Sequence, residues 1–344
     1  MTSPVLVPCA VRQQESNAAD IAGVLILGAC AGWALVTAAG RDARPEGLLL
    51  AVLAVGAGYA TGRIAGSLLP VGAAAGAAVF GVFLALFGPT STRMVAGSIQ
   101  FAGPEGRSGV TAALLTLAVG AACCAAWATP VHALRVTLRL GAAGIVVLAL
   151  LIGTPVGFAA GLAVLLWSLA VGRVRRRRVP LAALALAATT VTGVTFAVAA
   201  DALPHPVTTA LESRLTEHRT ELWEDALRLV REKPLTGTGP DTFGELSPTT
   251  HRAAGADGKP HSAPLQLAAE QGVVGLMLLA AAYVWLMAAL RESPRGTPVV
   301  LTAAAALSAL AALSSIGNAL SFTQVTAGAA LLAGTATARR PVVE

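Results

Sequence analysis

The sequence predicts an all-α polytopic membrane protein, and three observations carry that prediction. The 344-residue chain is 55% hydrophobic and only 12% charged, roughly half the charged share of an ordinary soluble domain. Apolar runs of about 20 residues, the length that crosses some 30 Å of hydrocarbon as a helix, recur along it. The polar residues gather in one stretch, Asp201 to Gln271, which holds most of the 18 acidic residues and four of the five histidines. About ten transmembrane helices and one large outer loop containing an amphipathic helix follow from this pattern, within a single membrane domain over residues 1–344.

Residues 1 to 20 are polar and carry Arg12. Ile21 to Ala39 is long enough to span. Val36-Thr37-Ala38 mimics a cleavage site, but the preceding region is acidic as well as basic, which favours an anchor over a cleaved signal. Arg41 to Glu46 forms a short outer turn. Gly47 to Gly62 returns, Arg63 marks the inside, and Ile64 to Gly88 goes out again. Pro89 to Ser108 is an outer loop with Arg93, Glu105 and Arg107. Gly109 to Thr129 comes back, and Arg135 and Arg139 lie inside.

Leu140 to Gly172 is too long for one span and short for two. Gly153-Thr154-Pro155 divides it into two short helices, because glycine and proline punctuate apolar runs. Pro180 to Ala200 leads out to the polar loop, residues 201–262. His261 to Leu290 returns as a helix about 45 Å long, so its first turns stand above the membrane or tilt. Val299 to Gly317 and Thr323 to Thr337 make a final hairpin with Asn318 at its outer turn. Ten spans leave both termini cytoplasmic and the loop extracytoplasmic at the plasma membrane.

The net charge of +6 is mostly topological. Arg173 and Arg175 to Arg178 form a run of the kind that stays cytoplasmic, so the basic balance does not point to nucleic acid. Of the cysteines Cys9, Cys30, Cys123 and Cys124, the last three lie in apolar segments, which argues against a disulfide framework. His205, His218 and His251 have no paired metal spacing, and the neighbouring Glu224 and Asp225 point to different parts of a helix surface. No metal and no cofactor is expected.

The polar loop opens with an amphipathic helix. Thr209 and Glu212 fit a capping box behind Pro206. Leu211, Leu215, Leu222, Ala226 and Val230 recur at three- and four-residue steps and share one face. Arg219 falls in that stripe, where a charge either snorkels or meets something anionic. Trp223 one turn on is expected to anchor at the membrane interface. Pro234 ends the helix, and Gly237 and Gly239 make a turn. His261 and Ser262 precede the next helix, and Pro264 suits its first turn.

Arg219-x-x-x-Trp223, Ala226-Leu227, Pro234-Leu-x-Gly-x-Gly239, His261-x-x-x-Leu265 and Glu270-x-Gly272-x-x-Gly275, in that order, resemble the central outer loop of the O-antigen ligase/polymerase family. The resemblance covers about 70 residues by motif and the rest by hydropathy. It implies a membrane glycosyltransferase that moves a glycan from a polyprenyl-pyrophosphate carrier to a hydroxyl of a glycan or lipid acceptor. His261 then orients or deprotonates that hydroxyl, since imidazole titrates near neutrality. Arg219 meets the pyrophosphate, for which a guanidinium offers a planar fork.

The bland alternatives are a histidine capping its own helix and a snorkelling arginine. Glu270 reads either as a functional carboxylate or as a structural hydrogen-bond partner. Asp42 and Glu46 read as charges flanking a span, or as the acid that some such enzymes carry in the first outer turn.

The chain also departs from the family. Where many members carry Ser-Arg-Gly at the tight turn between the paired short helices, this one has Gly153-Thr154-Pro155, and Ser262 stands where Asn is usual. A second cation is then required for the leaving pyrophosphate, and Arg93, just past the end of its span, is the choice. Two other classes remain open: a polysaccharide transporter or flippase component, and a non-catalytic relative in an assembly complex. Spans nearly free of charge weigh against the transporter.

Overall fold

The computed structural model describes residues 7–88, 93–95, 98–100, 104–202, 217–252 and 258–339. Thirteen helices account for most of them: α1 (Val7–Ala38), α2 (Glu46–Leu68), α3 (Pro70–Phe87), α4 (Pro104–Ala128), α5 (His132–Leu151), α6 (Pro155–Ala170), α7 (Arg178–Ala199), α8 (Glu217–Glu232), α9 (Phe243–Leu246), α10 (Pro248–Arg252), α11 (Ala263–Glu292), α12 (Thr297–Ser315) and α13 (Thr323–Thr337). Among the described residues nine are long and apolar enough to cross a membrane. With the 15-residue α13, shorter than a full span, they match the ten expected segments. Among the described residues the only strands form a two-stranded ribbon between α3 and α4, in which Arg93–Val95 pairs antiparallel with Ser98–Gln100.

α4 is the hub. Val110 to Ala126 is buried throughout, because its alanines, glycine and small polar residues let α3, α5, α6, α12 and α13 pack close on every side. α2 and α13 meet backbone to backbone. A Cβ on Gly58 would lie 2.5 Å from the Ala327 carbonyl oxygen, and one on Gly62 would lie 2.3 Å from that of Leu331. Hydroxyl pairs such as Thr192 with Ser315 and Tyr283 with Ser308 join neighbouring helices where water is excluded.

Two boundaries differ from expectation. α2 runs past Arg63 to Leu68, and the break falls at Leu69-Pro70. Leu69 is held at φ −132° and ψ 70°, because a following proline disfavours the α region. Arg63 stays helical, pairs with Asp20 on α1 and lies against Tyr59. Helix α5 begins at His132, so Arg135 and Arg139 are helical rather than loop residues. The division at Gly153 is as expected, with φ +78° there.

The helix ends sort into two sets. Arg63 with Asp20, Arg295 with Gly66, Arg177 with Ser293, and Ser293 with Ala336 tie one end. The polar loop, the Arg41–Arg44 turn and the Ile316–Ser321 turn gather at the other. A second, smaller core lies at this loop end. Leu222, Trp223, Ala226 and Leu229 of α8 pack there against Ala199, Phe243, Leu265 and Ala269.

Candidate functional site

The loop-end core fixes α8 against the start of α11. The α8 face seen in the sequence is the buried one over Leu222 and Ala226. Thr209, Glu212, Leu211 and Leu215 lie outside the described residues. Trp223 corrects one expectation: it is 1% exposed and is no interfacial anchor. Its indole N–H donates to the Pro260 carbonyl at 2.8 Å. The tryptophan of the Arg-x-x-x-Trp motif therefore holds the peptide just before the histidine.

His261 is buried, at 9% exposure, with φ +51°. A bulky residue in the left-handed region costs about 1–3 kcal/mol and persists only where its surroundings impose it. Here the Trp223 bond lies on one side and the N-cap Ser262, extended at φ −149°, on the other. Ser262 makes no side-chain cap bond. Its buried Oγ has no hydrogen-bond partner among the described residues. A buried hydroxyl in that state suits a ligand oxygen.

Arg219 lies one turn before Trp223 on the same face of α8 and is half-buried. Its Nη1 donates to the Ile316 carbonyl at 3.4 Å, at the C-terminal end of α12 where the helix dipole is negative. The guanidinium thus leans on the α12–α13 turn rather than snorkelling into solvent. The same turn reaches α11 through Ser321, whose hydroxyl donates to Gln266 Oε1 at 3.5 Å. Arg219 and His261 therefore belong to one assembly of α8, the start of α11 and the Ile316–Ser321 turn. Arg93 begins the ribbon strand opposite Gln100, and its side chain lies outside the described residues.

The glycine motifs have an architectural cause. α11 breaks at Gly272, where φ is 69° and ψ −170°, a conformation open essentially to glycine alone. The break strands backbone groups in a buried place, and the Pro234–Gly239 segment satisfies them. Thr238 N–H donates to Ala269 at 3.0 Å, Gly239 N–H donates to Glu270 at 2.8 Å, and Val273 N–H donates to Pro234 at 2.8 Å. The approach is so close that a Cβ on Gly237 would sit 2.3 Å from the Glu270 carbonyl carbon. One on Gly272 would sit 2.3 Å from the Leu235 carbonyl oxygen. The two motifs are the halves of one clasp. The Glu270 carboxylate belongs to it, accepting from Gln266 Nε2 at 3.1 Å and from the Asp241 backbone N–H.

The Arg41–Arg44 turn closes the clasp from behind, which sequence reasoning missed. Arg41 donates to the Gly237 carbonyl at 3.0 Å and to Thr236 Oγ1 at 3.2 Å. Arg44 N–H donates to Pro240 at 3.0 Å, and the Trp33 indole donates to the Gln271 carbonyl at 3.0 Å. Nearly 200 residues separate Arg41 from Gly237, so no local pattern exists to reveal it. Glu46 starts α2 and suits that helix's positive end.

On the far side of α8, Asp225 ties in α9 and α10. Its carboxylate accepts from Ser247 Oγ at 2.7 Å, from Thr249 N–H at 3.1 Å and from Arg228 at 3.4 Å. Burial pushes this carboxyl up. The hydrogen bonds from Ser247, Thr249 and Arg228 outweigh that and hold it below the usual carboxylate range. Among the described residues no group of three His, Cys, Asp or Glu side chains is gathered to hold a metal.

The Gly153-Thr154-Pro155 turn packs hard on α4. Thr154 Oγ1 donates to Ala149 at 2.7 Å, and a Cβ on Gly157 would lie 2.9 Å from Ala112. Asn318 comes near Gly109, less than one turn before Ala112 on α4. This turn is thus at the loop end, beside the assembly that holds Arg219.

No curated protein sequence aligns significantly with the chain. The family model described as O-Antigen ligase matches residues 140–280, a segment that runs from α5 through the Gly153 turn, α8 and His261 into α11. Over that segment, less than half of the chain, it is similar to the O-antigen ligase family, and among the described residues its nine long apolar helices are those of a multi-pass membrane protein.

Proposed function

We propose that this protein transfers or polymerises a glycan from a polyprenyl-pyrophosphate carrier onto an acceptor hydroxyl, at the membrane face that carries the polar loop. That face is extracytoplasmic, which leaves both termini and the arginine clusters of the other end in the cytoplasm of a cell whose plasma membrane holds the protein. The observation that carries the reading is the buried, left-handed His261, held by Trp223 from the helix that also presents Arg219.

The donor enters sideways from the leaflet on the loop side. His261 takes the proton from the acceptor hydroxyl as its oxygen attacks the anomeric carbon. The bond from that carbon to the pyrophosphate oxygen breaks, and the carrier departs with the negative charge. Arg219 meets that charge at a low-dielectric surface, where a fixed cation is worth more than in water. Ser262 Oγ is a further donor for the same oxygens, and Arg93 supplies the second cation in place of the missing turn arginine. The step needs no metal, because arginine neutralises the pyrophosphate.

His261→Ala and Arg219→Lys are each expected to abolish transfer from a lipid-linked glycan in reconstituted vesicles while the protein remains inserted. The lysine variant is the sharper, since it keeps the charge and loses the fork. Near-normal transfer by both would remove this mechanism. The missing arginine favours one second reading, a non-catalytic partner in polysaccharide assembly. It holds if the wild-type protein transfers nothing in vitro and the His261→Ala variant still supports assembly in cells.

A further inference from the structure

A cavity of about 380 Å³ opens at the end of the membrane bundle opposite the polar loop. It lies where α3 begins, α4 and α13 finish, and α11 turns into α12. Pro70, Ala74, Trp127, Arg295 and Val299 are among its walls. We infer that it seats the headgroup of an anionic phospholipid from the leaflet on that side.

Three observations point to this occupant. The first is charge. Arg295 lines the cavity, and no carboxylate is among its lining residues that the structure describes. Arg139 stacks on the outer wall, its guanidinium carbon 4.8 Å from the Trp127 ring centroid. The second is rigidity. Arg295 donates to the Gly66 carbonyl at 2.6 Å. Trp127 donates to the Ser168 carbonyl at 3.2 Å and to Ser168 Oγ at 3.0 Å. Both are pinned, so little order remains to be imposed on binding. The third is polarity and size. Apart from the arginine the walls are largely alanine, proline and valine, and Leu68 and Leu69 beside Pro70 are each two-thirds exposed.

A free inorganic anion finds few donors in such walls. A phosphate ester carrying acyl chains matches both the positive charge and the apolar surface. The volume lies at the low end for ligand pockets, about 300–1,000 Å³, which suits a headgroup with the first carbons of its chains rather than a whole lipid. Basic pockets between helices near a membrane surface take anionic headgroups in this way.

The test uses the full-length protein in neutral detergent, with unfolding temperature followed against added phosphatidylglycerol, phosphatidylcholine or inorganic phosphate. Phosphatidylglycerol is expected to raise the unfolding temperature saturably, and the other two are not. Arg295→Gln is expected to weaken the apparent affinity at least tenfold. It also removes the Gly66 contact, so Ala128→Phe, which fills the mouth without deleting a bond, is the second variant and is expected to do the same. An equal rise with phosphatidylcholine would show a non-specific lipid annulus, and an equal rise with inorganic phosphate would show a site for the free anion. Either overturns the inference, as does a wild-type response from Ala128→Phe.

Discussion

Trp223→Phe separates the two jobs of the tryptophan. Phenylalanine keeps an aromatic ring in the loop-end core but has no donor for the Pro260 carbonyl, which now receives the indole N–H at 2.8 Å. Pro260 is buried, so leaving its carbonyl unsatisfied costs about 1–3 kcal/mol. That is the size of the strain stored in the left-handed His261, also about 1–3 kcal/mol. Removing the bond therefore lets the turn relax. At about 1.4 kcal/mol per tenfold change in population, the fraction holding His261 in place falls roughly 5- to 150-fold, and the transfer rate falls with it. The assay is the initial rate of transfer from a lipid-linked glycan in proteoliposomes, with the unfolding temperature of the same preparation alongside. Leu222→Ala is the control. Leu222 is 2% exposed in the same core, and its truncation costs about 2–5 kcal/mol without touching Pro260. It is expected to lower the unfolding temperature more than Trp223→Phe while losing less transfer. Transfer by Trp223→Phe within twofold of wild type, or losses in the two variants that track unfolding temperature alone, would refute the reasoning.

Asp225→Asn is expected to destabilise the loop at neutral pH by ~1.5–3 kcal/mol, the worth of hydrogen bonds to a charged acceptor. Because the folded carboxyl is held below its usual range, its contribution is present above the unfolded value of about 3.9 and is lost as pH falls through the folded value. Wild-type and variant unfolding temperatures should therefore converge only in strong acid, and an equal gap at all pH values would count against the assigned charge. Arg93→Ala is expected to impair transfer as severely as Arg219→Ala, and Val156→Arg, at the turn beside α4, to restore part of it. A fully active Arg93→Ala variant would return the second cation to an unassigned residue. Transfer is expected to survive a chelator, and a loss restored by magnesium or manganese would move attention to Asp42 and Glu46.

Composition and apolar period sufficed for the membrane class, the order of the spans and the one polar loop. Those features follow from hydrophobic burial and helix geometry, which act locally and leave a local trace. Proline and glycine marked real breaks at Leu69-Pro70 and Gly153, although the first was placed at Arg63 because a charge near a span end looks like a boundary. His261 stood out by type and motif, but its left-handed backbone is imposed from outside, by the hydrogen bond from Trp223. Trp223 itself looked interfacial, since a tryptophan on an amphipathic helix gives no sign of which core will cover it. The clasp of Gly237 and Gly272 showed as spaced glycines. Its cause is the need of a broken helix, in a place without water, to find donors and acceptors in a segment more than thirty residues away. Arg41 left no trace at all, because its partners are backbone carbonyl and hydroxyl groups nearly 200 residues along the chain. Groups that nearly every residue carries encode no pairing, and only the folded chain decides which of them meet.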